Sequence, residues 1–498
     1  MYKKQLVTIF LLLFFSSYAQ SEFITLWKPN ITGTVDNAIS FGGTGTSYTI
    51  SWEEVGFPQH SGVLSSVTSD STTPTIISFG TSLNANPIQA TYKLKVSNGN
   101  GLFYGFKATV NNSIVNEELF EINQWGNTIW LQQFDRGFAN CTNLNVTATD
   151  APNLTQINSL FQMFFNCSSL IGQNSFSNWN ISTITNLAGM FGGAKLFNQN
   201  ISGWNTSNVT AFYGMFASAS AFNQNISTWN TGSGINFSSM FAQASVFNQP
   251  LNSWNMSKAT NLRYMFSGAS SFNQPLNNWN TSEVETFEGI FENAVSFNQP
   301  IASWDMSKVN ESASFIMFNG ALLFDQDIST WNIKLQNFGA HYVDFGFKNS
   351  GLSCTNYNKF LIALSNNPTW AHPGAVLGGT ISATGLIYST PQAIMARAQL
   401  VNKGLNIVGD TYNASCGASL STSENLVKSK TLAYPNPTTG IINVESTANE
   451  TAYLYDSTGR MIKNVTLNKG NNKIDLTEYP SGTYLLKGNS TSSKIMKK

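Results

Sequence analysis

The chain has 498 residues, enough for about three domains at ~150 residues each. Its 26 Lys and Arg cancel its 26 Asp and Glu, and charged residues make up only 10% of the chain, well below the ~25% of an ordinary soluble domain. That balance excludes a protein built to neutralise nucleic-acid phosphates, and 36 Phe, 16 Tyr and 12 Trp exclude an acidic disordered chain. The polarity that keeps it in water must come from Asn, Ser and Thr.

Lys3 and Lys4 precede an apolar run at 6–15 and a small-residue exit at Ser17-Tyr18-Ala19. This predicts a secretory signal peptide at 1–19, cut after Ala19. The run is shorter than the ~20 residues of a membrane-spanning helix, and no later stretch is longer and as apolar. The mature chain is therefore expected outside the cytoplasm and not embedded in a membrane.

Residues 20–124 read as an N-terminal β-domain. Tyr48, Ile50 and Trp52 alternate, as do Tyr92, Leu94 and Val96, with Gly and Ser/Thr clusters between such runs.

A repeat dominates 125–349. Trp179, Trp204, Trp229, Trp254, Trp279 and Trp304 recur every 25 residues, and Trp331 follows after a two-residue insertion. Each precedes Asn or Asp. Met190, Met215, Met240, Met265, Ile290 and Met317 form a second column, each followed by Phe. Four residues further on stand Ala194, Ala219, Ala244, Ala269, Ala294 and Ala321. Phe-Asn-Gln triplets start at Phe197, Phe222, Phe247, Phe272 and Phe297, with Phe324-Asp325-Gln326 as the variant. A fixed period over many copies predicts a solenoid. Val209, Phe212, Phe216 and Ala219 fall at intervals of 3, 4 and 3, as do Val284, Phe287, Phe291 and Ala294. That spacing predicts a short helix in every coil, with Ser207 as an N-cap. Phe197 and Ile201 share parity and predict a short strand before a bend at Trp204. The fold class expected is an α/β solenoid of 25-residue coils, flanked by the N-terminal β-domain and a C-terminal β-sandwich.

The Trp column is expected in the core, because seven exposed indoles would form a large apolar patch. The Asn and Gln after each Phe are candidates for hydrogen-bonded ladders along the stack. The pair before each Trp varies between coils and is the candidate binding surface: Ser202 and Gly203, Ser227 and Thr228, Asn252 and Ser253, Asn277 and Asn278, Ala302 and Ser303.

Residues 350–416 read as a C-terminal cap that covers the apolar end a repeat stack would expose. Tyr357, Phe360, Leu361 and Leu364 predict a helix over 356–365, and Thr390-Pro391 with Gly404 bracket another over 391–403. Four cysteines permit two disulfides outside the cytoplasm. Cys354 and Cys416 bracket the cap and are the preferred pair. The repeat register places Cys141 and Cys167 in the Ala column of adjacent coils, within disulfide reach at a ~4.8 Å coil spacing; two buried free thiols are the alternative.

Residues 417–430 are polar and read as a linker. In 431–498, Ile442/Val444, Ala452/Leu454, Ile474/Leu476 and Tyr484/Leu486 alternate between Gly-containing turns, which predicts a β-sandwich.

Two resemblances follow from these motifs. The unit at 240–264, Met-Phe-Ala-Gln-Ala-Ser-Val-Phe-Asn-Gln-Pro-Leu-Asn-Ser-Trp-Asn-Met-Ser-Lys-Ala-Thr-Asn-Leu-Arg-Tyr, resembles BspA-type leucine-rich-repeat surface proteins. That resemblance implies a leucine-rich-repeat-like solenoid, bacterial surface display and adhesion, without a particular ligand. Tyr434-Pro435-Asn436-Pro437, Tyr455-Asp456 with Gly459, Gly482-Thr483-Tyr484 and the basic end at Lys494, Lys497 and Lys498 resemble the type A sorting domain of type IX secretion. This implies export across the outer membrane of a Bacteroidetes-like bacterium, with the secretion machinery as a partner.

No catalytic set stands out. His60, His341 and His372 lie in no motif that would make one a general base. Asp325 and Asp327 are too close for a carboxylate pair flanking a glycosidic bond; a solvated turn or a weak calcium site is the alternative. Gly42-Gly43-Thr44-Gly45 lacks the Lys-Ser/Thr of a phosphate loop. No cofactor or metal site is expected. The expected function is a secreted surface adhesin or binding module for an extracellular protein or glycan. A spacer without a ligand and a carbohydrate-active enzyme are the alternatives.

Overall fold

The computed structural model describes residues 21–31, 37–70, 72–108, 117–131, 134–309, 316–333, 343–370, 379–416, 433–456, 460–488 and 492–498. The signal peptide, the linker at 417–430, His341 and His372 lie outside them. The chain divides into two compact units, one of 1–266, 274–290 and 303–310, the other of 267–273, 291–302 and 311–498.

In the first unit, period-2 alternation builds the N-terminal sheet. Its strands are β1 (Phe23–Trp27), β3 (Gly43–Glu54), β4 (Phe57–Ser69), β6 (Tyr92–Ser97), β7 (Leu102–Phe106), β8 (Leu119–Gln124) and β9 (Asn145–Val146), with β2 (Ala38–Phe41) and β5 (Thr75–Ser78) as a separate pair. The order is β4-β3-β6-β1-β8-β9, and β7 pairs with β3. Alternation buries Tyr48, Ile50 and Trp52 on one face. The same parity points Glu54 inward. Its carboxylate accepts hydrogen bonds from His60 Nδ1 (2.5 Å), Ser82 Oγ and the amides of Leu83 and Asn84. Burial alone would push the Glu54 carboxyl up; the bonds from His60, Ser82, Leu83 and Asn84 outweigh it and hold it at about 2. His60 Nε2 is bonded to the Phe79 carbonyl oxygen, so this histidine ties a loop to the sheet.

The parallel pairing of β8 with β9 hands the sheet over to the repeats. From there, isolated parallel bridges join Ser159, Asn186, Ala211, Asn236, Asn261 and Thr286, one per coil. The α/β solenoid expected for 125–349 is not what forms. Among the described residues, α-helix occurs only in the cap, and the strands fall into separate sheets. The segment 207–219, expected as a helix capped by Ser207, is a turn at 207–208, a bridge at Ala211 and a run of turns over 213–218. Phe212, Gly214, Phe216 and Ser218 donate their amides to Asn236, Ser238, Met240 and Ala242 of the next coil, while Met215, Ala217 and Ala219 donate back three residues within their own. Left-handed residues recur four apart, Gly214 and Ser218 (φ 60° and 59°), then Ser239 and Gln243 (54° and 60°). These interrupt any helix. The 3-4-3 spacing was a true sign of one buried face, but successive short turns reproduce it as well as a helix does. The strand expected over 197–204 is likewise irregular backbone.

In the second unit, Phe318 and Gly320 donate their amides to Gly346 and Lys348, leading into a parallel sheet of β10 (Val343–Gly346), β11 (Gly379–Ser382) and β13 (Leu405–Val408). Helices α1 (Cys354–Ser365) and α2 (Pro391–Asn402) connect these strands, with Ser353 and Thr390 as N-caps that accept from Asn356 and Ala393 amides. A small parallel pair, β12 (Ile387–Tyr388) and β14 (Thr411–Tyr412), completes the cap. Cys354 and Cys416 form a disulfide 62 residues apart. Cys141 and Cys167 are instead buried free thiols; burial pushes both thiols up, and Cys167 Sγ donates to the Phe138 carbonyl.

The C-terminal segment has two antiparallel sheets. One is β15 (Ala433–Tyr434), β16 (Ile441–Ser446) and β19 (Gly470–Asp475); the other is β18 (Met461–Leu467), β17 (Glu450–Tyr455), β20 (Gly482–Lys487) and β21 (Ser492–Lys497). Ile442, Val444, Ala452, Leu454, Ile474, Leu476, Tyr484 and Leu486 form their common core.

Two outcomes follow. The folded Glu54 carboxyl is depressed from 4.5 to about 2, so its contribution is fully present above pH ~4.5 and fades as pH falls towards 2. Glu54→Gln should cost about 1.5–3 kcal/mol at pH 7 and little at pH 2, read from urea unfolding of the N-terminal region at both pH values. Cys354→Ser with Cys416→Ser should lower cap stability by up to about 4 kcal/mol, the loop-entropy term for a cross-link of this span, read as a loss of exchange protection in α1 and α2.

Candidate functional site

The coil surface divides into three strips, and the first two are largely spent on holding the stack together. On the first, Asn223 and Asn248 donate backbone amides to Asn198 and Asn223 Oδ1, at 2.9 and 3.0 Å. Gln249 and Gln274 donate Nε2 to Asn223 and Asn248 Oδ1. The second unit repeats this, with Asn298 and Gln299 both bonded to Asn273 Oδ1. The column is an amide ladder. Beneath it the rings stack: Phe216 lies 3.9 Å from Phe222 within a coil, and Trp229 lies 6.4 Å from Trp254 between coils, nearly parallel at 3°.

Trp179, Trp204, Trp229, Trp254, Trp279 and Trp304 are all buried, and Trp331 is half-buried. Each indole from Trp204 onward donates Nε1 to a carbonyl of the preceding coil, as Trp229 does to Ile201 (3.0 Å) and Trp254 to Ile226 (3.1 Å). Trp179 Nε1 lacks such a bond. From Trp179 to Trp304 the Asn or Asp after each Trp closes a turn by accepting the amide two residues on, as Asn205 does from Ser207 and Asp305 from Ser307.

The second strip carries the pairs before Trp. Gly203, Thr228, Ser253, Asn277, Asn278, Ala302 and Ser303 are exposed, and Ser202, Ser227 and Asn252 are half-buried. Several of their polar groups bond inside the stack. Thr228 Oγ1 donates to Ser202 O (2.8 Å), Ser253 Oγ to Ser227 O (2.9 Å) and Ser303 Oγ to Asn277 O (2.9 Å). The Asn278 amide donates to Asn252 Oδ1 (2.9 Å).

The third strip runs beside the parallel bridges and was missed because that segment was read as helix. One position there changes chemistry in every coil: Ala188, Tyr213, Ser238, Arg263 and Glu288, each 25 apart. Their common register was the available signal. Phe161 and Tyr213 rings lie 6.1 Å apart, with the Arg136 guanidinium 5.6 Å over Phe161. Arg263 Nε pairs with Glu288 Oε2 at 2.8 Å, and Tyr264 OH donates to Glu288 Oε1 at 2.9 Å. Burial and the nearby Glu288 push the Tyr264 phenol up, so it stays a neutral donor. Gly289 has φ 60°, and a Cβ there would meet the Tyr264 ring at 2.1 Å; the ring lies flat on the glycine of the next coil.

The acidic pair has a structural use. Asp325 accepts from the Ser353 amide and Asn356 Nδ2 at the start of α1, and Asp327 pairs with Lys359 of α1 at 2.7 Å. Among the described residues no cluster of His, Cys, Asp or Glu could hold a metal ion, and no helix is long and apolar enough to cross a membrane.

Residues 432–498 match the family model described as a secretion system C-terminal sorting domain. The tail is a type IX sorting domain. It marks the chain for secretion and implies contact with that machinery. Residues 132–254 and 235–344 match a model described as Mycoplasma protein of unknown function, DUF285; the match does not confirm the leucine-rich-repeat identity implied by the BspA resemblance. No curated protein and no solved structure matches the chain.

Trp254→Phe keeps a ring in the column but removes one of the two bonds to the Ile226 carbonyl, which still accepts the Trp229 amide. It should cost about 0.5–1.5 kcal/mol, seen as faster amide exchange across coils 226–256.

Proposed function

We propose that the repeat region is an extracellular binding module, presented at the outer cell surface after type IX export, and that its partner is a protein or a glycan. The observation that carries this reading is the strip beside the parallel bridges. It concentrates half-exposed Phe161, Tyr213 and Tyr264 with exposed Arg136 and Arg263, on a surface otherwise rich in neutral amides and hydroxyls with scattered charges such as the Lys308–Glu283 pair. Tyr and Arg are the residues most often found at the energetic centre of interfaces, and Tyr gives large contact area at low entropic cost. A repeated backbone with one position varied per coil supplies a rigid frame on which contacts differ along the stack. The pairs before Trp flank this role as a neutral hydrogen-bonding surface, with part of their capacity already used between coils.

A spacer would need none of this variation. The mature chain, applied to glycan and extracellular-matrix protein arrays, should bind a defined subset. Tyr213→Ala with Arg263→Ala should weaken that binding at least tenfold with an unchanged circular-dichroism spectrum. Substituting Thr228 and Ser253 with Ala should weaken it less. Absence of binding to any array member would favour the spacer, and equal binding by the Tyr213/Arg263 variant would remove this strip from the contact.

A further inference from the structure

The two positions after the Ala column hold Lys195 and Leu196, Ser220 and Ala221, Ser245 and Val246, Ser270 and Ser271 in successive coils, then Val295 and Ser296, Leu322 and Leu323. At the second of these positions Leu196 is 50% and Val246 42% exposed. The first position is polar in the earlier coils, from Lys195 to Ser270, and turns apolar at Val295 and Leu322, which have only 6% and 2% of their surface exposed.

What covers them belongs to the sorting domain. In β20, Tyr484 and Leu486 point into the sandwich core, so alternation turns Leu485 to the outside. Leu485 is nonetheless buried, in one cluster with Val295 and Leu322, with Leu323 and Tyr455 against it. Lys487 shares the outward parity of Leu485, and its Nζ donates to the Leu322 carbonyl at 3.1 Å. Burial pulls the Lys487 ammonium down, and the Asp325 carboxylate opposes this. Two departures from local pattern therefore meet: apolar residues where earlier coils are mostly polar, and a leucine on the outer face of a sandwich strand.

We propose that the sorting domain is carried docked on the flank of the last coils, with Leu485 seated on Val295 and Leu322 and Lys487 fixing the register, so that it masks an apolar patch until the tail is displaced. The contact is small and holds a single apolar side chain at its centre, as a reversible intramolecular cover requires. It needs no help from the binding strip and is independent of the function proposed for it.

Hydroxyl-radical footprinting of the full chain tests this. Leu322, Leu323 and Leu485 should be modified at least fivefold more slowly than Leu196, whose side chain has no such cover. Leu322→Asp, and separately Lys487→Glu, should raise modification of Leu485 at least fivefold while Leu454 in the sandwich core stays protected. Val295→Ser, which restores the residue type of earlier coils, should give a smaller rise without disturbing the repeat. Modification of Leu485 at the rate of Leu196 in the unaltered chain would overturn the proposal. So would protection that persists unchanged in both the Leu322→Asp and Lys487→Glu chains.

Discussion

Everything in the repeat region depends on how main-chain amides are divided between coils. In an α-helix each amide bonds within its own segment, and nothing is left to hold a neighbour. Here alternate amides, such as those of Phe212, Gly214, Phe216 and Ser218, go to the next coil, while those between them close turns within their own. Left-handed residues four apart set up this alternation. A 25-residue coil then has no stable form by itself, because half of its donors and its whole aromatic face need the coil beside it.

Side chains extend the same rule. Bringing identical backbones together at a fixed spacing puts identical side chains in register, so Phe stacks on Phe and Trp on Trp, and each Asn oxygen finds an amide of the next coil. The Trp column is more than filler, since its indole nitrogens reach back to carbonyls of the preceding coil that already accept a turn amide, adding a second bond that joins the coils. The first unit has a starting edge in β8, and within the second the amides of Phe318 and Gly320 lead into β10, β11 and β13. Both use regular strands where the adjoining coils use turns. The glycine at Gly289 shows the cost of close stacking: Tyr264 of the neighbouring coil occupies the space a side chain would need.

Much of this was legible in the residues. The period, the buried Trp, Phe and Ala columns, the cap helices and the alternating strands of the tail all rest on one-dimensional pattern, and burial follows such patterns because apolar groups must share a face. The tail's Pro-Asn-Pro start and its Gly and Tyr spacing were enough to mark it for type IX secretion. The local conformation of the coil was not legible. Val209, Phe212, Phe216 and Ala219 have helical spacing, yet a run of turns meets the same burial requirement, and what separates the two conformations is where the amides bond. Cys141 and Cys167 fall in adjacent coils as the register implies, but adjacency does not fix side-chain direction, and Cys167 turns to a carbonyl instead.

The sequence alone thus determined the repeat length, which residues are inside, and the export signal, since each depends on residue identity at fixed spacing. Only the tertiary structure decided that the coils are turns without helices, that Asp325 and Asp327 serve α1, and that Tyr213, Arg263 and Tyr264 line the bridged strip. Those outcomes depend on hydrogen bonds between residues 25 or more apart, and a chain read in one dimension does not say which distant carbonyl an amide will find.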